Sequence, residues 1–440
     1  MKLNELKDLL RDLGVVGAGG AGFPSYAKLN ETADTILLNC AECEPLLKVH
    51  RQVLETYTAE VLEALSEMRR ATGAEQVIIA IKAHYHSTLA ALEAELPDYE
   101  GITVHKLESV YPAGDEIILI KEVTGRLVEP GQLPISVGVT VCNVESVYNV
   151  HRALRGEPVT HKFVTVAGEV KHPATLYVPV GTEIGELIAA VGGVTDEQVE
   201  YISGGPMMGR PVGLRDVVTK TTNAILALPV TNPVVMNKRL NPKVNLKRTM
   251  AVCCQCESCT ELCSRHVLGY PVKPHLVMRV LSNGGKGDLK ALDGSLFCSG
   301  CGLCETYSCP QGLSPRAMID ELKKAARAKN YKPEGVPVER FVKDADLKKI
   351  SVDRLTARLG LTKYDLPAPM SEEEFATKKV KILLSQHIGA PAVPAVKVGD
   401  RVTKGQRIGT AKEGALSVAL HASIDGVVDA VTERYIRIKK

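Results

Sequence analysis

Tryptophan is absent from this chain, and several other features that would define a class of protein are absent as well. Phe and Tyr number 5 and 13 among 440 residues, so stacking on a flat ligand falls to these two residue types. No apolar run approaches the ~20 residues of a membrane-spanning helix, and residues 1–7 lack the hydrophobic stretch of a secretory signal. A net charge of +3 gives no nucleic-acid-binding surface. We therefore expect a cytoplasmic protein without a membrane span and without a nucleic-acid partner.

Cysteine, in contrast, is used in a distinctive way. Eight of the 12 cysteines form two runs, C-x2-C-x2-C-x3-C and C-x2-C-x2-C-x4-C-P: Cys253, Cys256, Cys259 and Cys263, then Cys298, Cys301, Cys304 and Cys309. Three thiolates at this spacing hold one cuboidal cluster, and the fourth commonly ligates the other cluster of a two-cluster module. Structural zinc usually takes cysteines in pairs with a longer spacer, and disulfides need an oxidising compartment. The spacing predicts two [4Fe–4S] clusters in an electron-transfer protein, with Cys254 as a bystander.

The first 158 residues alternate between strand and helix patterns. Strands are expected at residues 36–38, 76–82, 102–107 and 137–142, and helices at 3–13, 46–70, 86–96, 114–123 and 144–154. Such alternation predicts a parallel sheet with helices on both faces. Ligands of such sheets bind at the carboxyl ends of the strands.

Four short segments in this part of the chain are candidates for that binding site. Residues 17–24 (GAGGAGFP) contain four glycines in six residues, which let backbone N–H groups approach a phosphate or a flat ring. Polar clusters follow predicted strands at 39–45 (NCAECEP), 111–116 (YPAGDE) and 142–146 (CNVES). Taken singly, each acidic residue is explained equally well as a helix cap. The ordered set of four is therefore the informative feature.

In that order, the segments resemble the flavin loop (GRGGAGFP) and the NADESEP, YxxGEE and NNVET motifs of the NADH-binding flavoprotein subunit of respiratory complex I. They are also similar to the C subunit of the Rnf ferredoxin:NAD oxidoreductase. The resemblance is strongest to the cobalamin reductase family of propanediol-utilisation microcompartments. It implies an FMN site and an NADH site in residues 1–155.

The resemblance also implies roles for individual residues. Phe23 would stack near the nicotinamide and Glu116 would lie along the hydride path, so these two are the predicted catalytic residues. Asn39 and Asn143 would contact the ribityl chain and the phosphate of FMN. No acid–base residue is required, because hydride passes directly to the flavin. The predicted cofactor-binding residues are Gly17, Gly19, Gly20, Gly22, Phe23, Lys28, Asn39, Glu42, Glu44, Tyr111, Gly114, Asp115, Glu116 and Asn143.

Three positions depart from the complex I motifs. Ala18 stands where that family has Arg, Ala41 replaces an Asp, and Cys142 replaces the first Asn of NNVET. These departures predict weaker binding of flavin or nucleotide. Cys40 and Cys43 have C-x-x-C spacing without a second pair, so we interpret them as passengers.

The remaining chain divides into four segments. Residues 159–235 predict a small sheet crossed by one helix, a β-grasp domain resembling the soluble-ligand-binding module of the same families, with a corrinoid contact as a hypothesis. Residues 245–330 form the predicted ferredoxin-like domain of the two [4Fe–4S] clusters, helical at 270–292 and 316–329. Residues 331–375 are predicted as a linker with a helix at 346–358. Residues 376–440 are predicted to be all β.

The last segment resembles a barrel-sandwich hybrid of the lipoyl type. Its two halves are residues 399–406 and 424–428, and the place of an attachable lysine between them is taken by Ala415. A swinging-arm carrier is therefore excluded. In the Rnf family the similar barrel is N-terminal, so its C-terminal position here favours the cobalamin reductase branch. His387 and His421 have no metal partners at ligand spacing and are interpreted as structural.

These features predict a multidomain α/β protein with a Rossmann-like flavin/NADH domain at residues 1–158. The predicted function is an NADH-dependent oxidoreductase that passes electrons through FMN and two [4Fe–4S] clusters to a corrinoid, held by a partner adenosyltransferase. One alternative is an Rnf-type subunit exchanging electrons between NADH and ferredoxin or another protein. Another is a scaffold with a decayed flavin site. Microcompartment shell proteins and a second copy of the chain are further candidate partners, and the interior of a bacterial microcompartment is a candidate location.

Overall fold

The computed structural model describes residues 1–287, 290–333, 337–338 and 342–440. A parallel sheet organises the N-terminal part. The elements of this part are α1 (Leu3–Asp12), α2 (Ser25–Lys28), β1 (Thr35–Cys40), α3 (Val49–Thr56), α4 (Thr58–Thr72), β2 (Gln76–Lys82), α5 (His86–Glu95), β3 (Ile102–Leu107), β4 (Val110–Tyr111), α6 (Glu116–Thr124), β5 (Val139–Asn143) and α7 (Val144–Leu154). The strand order of the sheet is β3-β2-β1-β5.

Both faces of this sheet are buried, as its nearly continuous apolar strands require. Ile36 and Leu38 of β1 face the core shared by α1, α3, α4 and α7. Leu37 points to the opposite face, where α6 and Tyr270 of the cysteine-rich region cover it. The sheet is therefore covered on one side partly by the region that carries the cysteines.

Two predicted elements in this domain have different bounds. The helix expected at 46–70 is divided into α3 and α4, because Tyr57 leaves helical geometry at φ −121° and ψ 43°. The Tyr57 ring packs against Tyr148, with centroids 4.5 Å apart. The strand expected at 137–142 begins only at Val139, after a 3₁₀ turn at Pro134–Val137.

A mixed sheet follows, with one helix packed on one face. The elements are β6 (His161–Gly168), β7 (Ala174–Pro179), α8 (Ile184–Ala190), β8 (Val199–Ser203), β9 (Arg210–Val212) and β10 (Ala224–Pro229). With β12 (Met370–Glu374) as an edge strand, the order is β12-β7-β6-β10-β8-β9, and β10 is parallel to β6. Ile184 and Leu187 of α8 pack on Val164 and Ile225 of the sheet.

The cysteine-rich region is helical. Its helices are α9 (Pro233–Arg239), α10 (Pro242–Val252), α11 (Ser258–Glu261), α12 (Ser264–Val267), α13 (Pro274–Ser282), α14 (Leu303–Thr306) and α15 (Pro315–Ala328), with a 3₁₀ helix at Lys290–Phe297. The prediction of helix throughout 270–292 is wrong in extent. Only α13 is helical before the turn at Gly284 and Gly285, both of which have positive φ.

The segment predicted as a linker contains elements that join other parts of the chain. They are β11 (Ile350–Ser351), α16 (Val352–Arg358) and β12 (Met370–Glu374). β11 pairs with β4 of the first domain, and β12 adds an edge strand beside β7. The helix predicted at 346–358 is shorter, because 3₁₀ and strand geometry occupy residues 345–351. The domain boundaries themselves stay a prediction.

The C-terminal part is all β, as predicted. The strands are β13 (Lys379–Leu383), β14 (Val393–Pro394), β15 (Arg401–Val402), β16 (Arg407–Thr410), β17 (Leu420–His421), β18 (Gly426–Val431) and β19 (Tyr435–Lys439). They form two small sheets, β13-β19-β18-β15 and β14-β16-β17, which enclose a core that includes Ile382, Ile408 and Ile438. In the described part of the chain, no helix combines the length and hydropathy needed to cross a membrane.

Candidate functional site

Polar side chains from adjacent strands meet at the carboxyl edge of the parallel sheet. Asn39 of β1 and Asn143 of β5 are register partners. The Asn39 amide donates to the carbonyl of Gly114 at 3.0 Å. Asn143 caps α7 by accepting the Glu145 N–H at 3.0 Å, and its amide lies 2.9 Å from His50 Nε2. Because parallel strands end at one edge of the sheet, Asn39 and Asn143, both predicted to contact FMN, lie in the same crevice.

Glu42 is the most informative side chain of this crevice. Its carboxylate is fully buried, and one oxygen, Oε1, accepts the backbone N–H of His50 at 2.8 Å. The other oxygen, Oε2, has no hydrogen-bond partner within the described residues, and Arg51 approaches it only to 3.9 Å. A buried acceptor without a donor is costly. Such an oxygen fits a ligand hydroxyl, as the resemblance to flavin and nucleotide sites implies.

The glycine loop supplies backbone next to the crevice. Gly17 N–H donates to Phe23 O at 2.9 Å, and Ala18 N–H donates to Ser146 Oγ at 2.8 Å. A Cβ at Gly19 would lie 2.7 Å from Asn223 of the second domain, whereas a Cβ at Gly20 would meet no atom within 4 Å. The loop is therefore covered on one side and open at Gly20, which fits a flat ring or a phosphate against the backbone.

Lys28 and Glu116 lie beside one another at the same edge. Lys28 Nζ donates to Glu116 Oε1 at 2.7 Å and to the carbonyl of Val141 at 3.0 Å. The Glu116 side chain is 42% exposed at the first position of α6. Phe23 is half-buried at the end of the glycine loop. The two predicted catalytic residues thus remain accessible, and their roles stay a prediction.

Three other predicted residues connect domains. Both oxygens of Glu44 accept backbone N–H groups, from Met207 at 2.9 Å and Met208 at 2.8 Å. Tyr111 donates its hydroxyl to the carbonyl of Cys301 at 2.7 Å. Asp115 caps α6 and pairs with an arginine of the cysteine-rich region. Their protein partners explain their polarity, so their direct contact with cofactors stays a prediction.

The eight cysteines of the two runs form two groups in space. The fourth cysteine of each run lies with the first three of the other run. Burial and then the sulfur atoms of Cys309, Cys256 and Cys253 raise the pKa of Cys259 to about 12. These four thiols, which we call the outer group, line one small cavity with His275 and Met278. Cys309 therefore joins the first run although it ends the second. This crossing is the arrangement expected of a two-cluster ferredoxin.

The remaining four cysteines of the two runs, Cys263, Cys298, Cys301 and Cys304, form the inner group. Burial raises the pKa of Cys263, and the sulfur atoms of Cys301 and Cys298 raise it further. Burial raises the pKa of Cys304 as well, followed by Glu305 and the thiols of the same three cysteines. Within the described residues, no three Cys, His, Asp or Glu side chains converge closely enough to hold a single metal ion.

The two groups differ in their surroundings. Cys301 and Cys304 of the inner group are buried, and Cys301 packs in the core that contains Tyr111. Cys256 of the outer group is exposed, as is the neighbouring Cys254. The inner group thus lies against the flavin domain and the outer group reaches the surface.

Three residues that support this arrangement were not predicted from the sequence. Lys82 ends β2 and donates to the Glu42 carbonyl at 3.2 Å, while burial lowers the pKa of Lys82. Arg265 pairs with Asp115 at 2.7 Å. Arg316 pairs with Glu305 at 2.8 Å beside the inner group. A strand-end lysine was detectable from the pattern, but the two arginine pairs join segments more than ten residues apart.

Cys40 and Cys43, which were interpreted as passengers, and the neighbouring Cys142 are poorly suited to react. Burial raises the pKa of Cys43 to about 12 and that of Cys142 to about 11. Burial also raises the pKa of Cys40. Because the thiolate is the reactive form, these groups stay protonated at neutral pH. The interpretation of Cys40 and Cys43 as passengers remains a prediction.

The fold and site define a flavo-iron–sulfur oxidoreductase. Four family models match successive parts of the chain: the Nuo51 FMN-binding domain at 10–152, the SLBB domain at 163–211, the 4Fe-4S dicluster domain at 252–314 and the RnfC barrel sandwich hybrid domain at 369–440. The chain belongs to the cobalamin reductase PduS family. It is 42% identical to Cobalamin reductase PduS of Salmonella typhimurium over the whole chain and 97% of that protein.

One further relative supports this placement, and another supports the wider superfamily. Cobalamin reductase PduS of Citrobacter freundii is 41% identical over 98% of this chain and 96% of that protein. The C subunit of the ion-translocating oxidoreductase complex of Rhodobacter capsulatus is 39% identical over 49% of this chain and 43% of that protein. The predicted family, fold class and cofactors, FMN and two [4Fe–4S] clusters, are confirmed, as is the prediction of an NADH-dependent oxidoreductase.

Proposed function

We propose that this protein transfers electrons from NADH to a corrinoid. The observation that carries the proposal is a series of contacts. Tyr111 of the flavin domain bonds to Cys301 of the inner group, Cys298 of the inner group packs on the same core as Cys253 and Cys309 of the outer group, and the outer group reaches the surface at Cys256. The whole-length similarity to proteins named cobalamin reductase supports a corrinoid as the acceptor.

In this proposal the crevice residues orient the two nucleotides. The free oxygen of Glu42 accepts from a ribose or ribityl hydroxyl, and Asn39 and Asn143 keep the strand ends in register. Gly20 leaves room for a ring against the backbone, with Phe23 beside it. When bound, FMN accepts a hydride and releases its electrons singly, and [4Fe–4S] clusters relay single electrons.

The cysteine groups supply the proposed ligands of the clusters. The inner set is Cys263, Cys298, Cys301 and Cys304, and the outer set is Cys253, Cys256, Cys259 and Cys309. Tyr111 fixes the inner set to the flavin domain through its hydrogen bond to the Cys301 carbonyl. The domain boundaries 1–158, 159–235, 245–330 and 376–440 are retained in this proposal.

A corrinoid contact in the β-grasp domain belongs to the same proposal. In the loop that Glu44 holds, Met207 is buried whereas Met208 is 56% exposed. Met208→Ala should raise the KM for free cobalamin without changing NADH oxidation with ferricyanide. An unchanged KM would remove this contact from the proposal. The proposed setting, an adenosyltransferase partner inside a microcompartment, would show as co-purification with those proteins.

The function is tested by anaerobic NADH oxidation with cob(III)alamin as the acceptor, followed by the corrinoid absorbance. Cys301→Ser should abolish corrinoid reduction while NADH still reduces ferricyanide, and Cys254→Ser should retain both activities. Reduction of ferredoxin but not of the corrinoid would favour the second candidate function, an Rnf-type subunit. The partial identity to the ion-translocating oxidoreductase protein of Rhodobacter capsulatus is the observation that supports that candidate.

A further inference from the structure

One exposed surface borders the outer cysteine group. We call it the α10 surface and define it by Lys243, Val244, Lys247, Met250 and Val252. Lys243, Lys247 and Met250 recur at helical spacing along the outer face of α10, Val244 flanks them and Val252 is the last residue of the helix, while Asn245 and Thr249 are buried on the inner side. Val244, Met250 and Val252 are 46%, 52% and 47% exposed, so this helix presents three apolar side chains to solvent.

The α10 surface is also basic. The sequence has no acidic residue between Asp216 and Glu257. Of the cations in this stretch, Lys238 donates to the Gly209 carbonyl at 2.6 Å and Arg248 to the Gly312 carbonyl at 3.1 Å. Arg239 pairs with Glu200. Each of these three cations therefore has an acceptor inside the protein.

Lys243 and Lys247 differ from those cations. Both are exposed, and within the described residues neither forms an ion pair. They lie four positions apart on one helix face, where like charges destabilise a helix by roughly 0.2–0.5 kcal/mol. Folding therefore gains nothing from this pair of charges, whereas a partner of opposite charge would.

The location adds the functional argument. Val252 directly precedes Cys253, and the exposed Cys254 and Cys256 continue the same strip of surface. Cys301 and Cys304 of the inner group are buried, whereas Cys256 of the outer group is exposed, so a partner can approach the proposed electron route here. The exposed face of a helix offers no enclosure for a small molecule, whereas apolar side chains flanked by charge suit a transient protein interface.

We propose that the α10 surface is the docking site of an acidic protein that accepts electrons from the outer cysteine group. This inference rests on the proposed electron route and adds to it the place and charge of the partner. The apolar side chains would form the centre of the contact, and the lysines would steer the partner toward it.

The test uses full-length protein holding flavin and clusters, with flavodoxin as an acidic electron-accepting probe and cytochrome c as a basic one. The variant is Lys243→Glu with Lys247→Glu, and its matched control is Lys397→Glu with Lys412→Glu on the distant C-terminal barrel. At low salt the α10 variant should lower kcat/KM for flavodoxin about tenfold or more. It should weaken flavodoxin binding, measured separately by surface plasmon resonance, to a similar extent.

With wild-type protein, flavodoxin reduction should fall steeply with added salt and cytochrome c reduction should not. The control variant should match wild type for both probes. If the α10 variant binds and reduces flavodoxin as wild type does, the docking site is overturned. The same conclusion follows if the α10 variant and the control variant lose flavodoxin binding and kcat/KM to the same extent. NADH oxidation with ferricyanide separates the two proposals, because its absence in wild type contradicts the electron route itself.

Discussion

A buried ion pair, Glu145 with Lys162, holds α7 of the flavin domain against β6 of the β-grasp domain. Both side chains are 1% exposed. Lys162 also donates to Asn223 Oδ1 at 2.7 Å, and Glu145 also accepts the Phe163 N–H at 3.1 Å. Lys162→Met would leave the carboxylate buried with one backbone donor. Breaking such a pair costs about 3–5 kcal/mol, or roughly 6–20 °C in the unfolding midpoint of domains of this size.

The loss should depend on pH. Burial raises the pKa of Glu145 even beside Lys162, and removal of the lysine should raise that pKa further. A carboxyl group whose pKa is higher in the folded state destabilises the protein above that pKa and not below its unfolded value of about 4.3. Lys162→Met should therefore lose more stability at pH 8 than at pH 5. Adding Glu145→Gln removes the buried charge and should recover much of the loss.

Thermal unfolding followed by circular dichroism at the two pH values measures these effects, and flavin fluorescence reports cofactor release. Lys324→Met, which breaks an exposed pair with Glu321, is the matched control and should change stability by less than about 1 kcal/mol. The reasoning would be refuted if Lys162→Met lost the same stability at both pH values. A double variant as unstable as the single one would refute it as well.

Three further predictions concern the clusters and the domain junctions. Chemical analysis should find about four of about eight irons in Cys309→Ser and all of them in Cys254→Ser. Equal iron loss in the two variants would contradict Cys309 as a ligand in the outer group. Arg265→Met leaves Asp115 without its ion-pair partner beside the inner group. Stopped-flow absorbance should show cluster reduction slowed about tenfold and flavin reduction unchanged. If both reductions slow, Arg265 has no positioning role specific to the inner group. Burial lowers the pKa of Lys220 to about 7. The unfolded chain therefore binds more protons than the folded one between pH 7 and about 10, so the thermal midpoint of the wild type should rise over this range. Lys220→Met should lose that rise, and a rise that persists in the variant would show that another group causes it.

The sequence was sufficient where a local pattern carries the information. The cysteine spacing predicted two clusters, because three ligands of each come from one short loop. The alternation of strand and helix predicted the parallel sheet, and Asn39 and Asn143 could be placed at one edge because parallel strands end together. The division of the long helix at Tyr57 was not predictable, since the helical periodicity continues through it and the break depends on contact with Tyr148.

Contacts between distant segments could not be read from the sequence. The pairing of Cys309 with the first run is the exception, because the cysteine spacing is typical of modules whose fourth ligand belongs to the other cluster. Glu44, Tyr111 and Asp115 belong to motifs that resemble flavin-site motifs, yet each finds a partner in another domain. Polar residues at strand ends are equally suited to bind a ligand or a neighbouring domain, and only the tertiary structure distinguishes the two.

Anaerobic titration of the flavin- and cluster-loaded protein with NADH tests the central claim most directly. Flavin absorbance and the broad absorbance of the clusters should both bleach, with an end point of about two NADH per chain, because FMN takes two electrons and each cluster takes one. Subsequent addition of cob(III)alamin should restore both signals. Bleaching of the flavin alone, or no change with NADH, would contradict an electron route from the crevice of the sheet to the exposed cysteines.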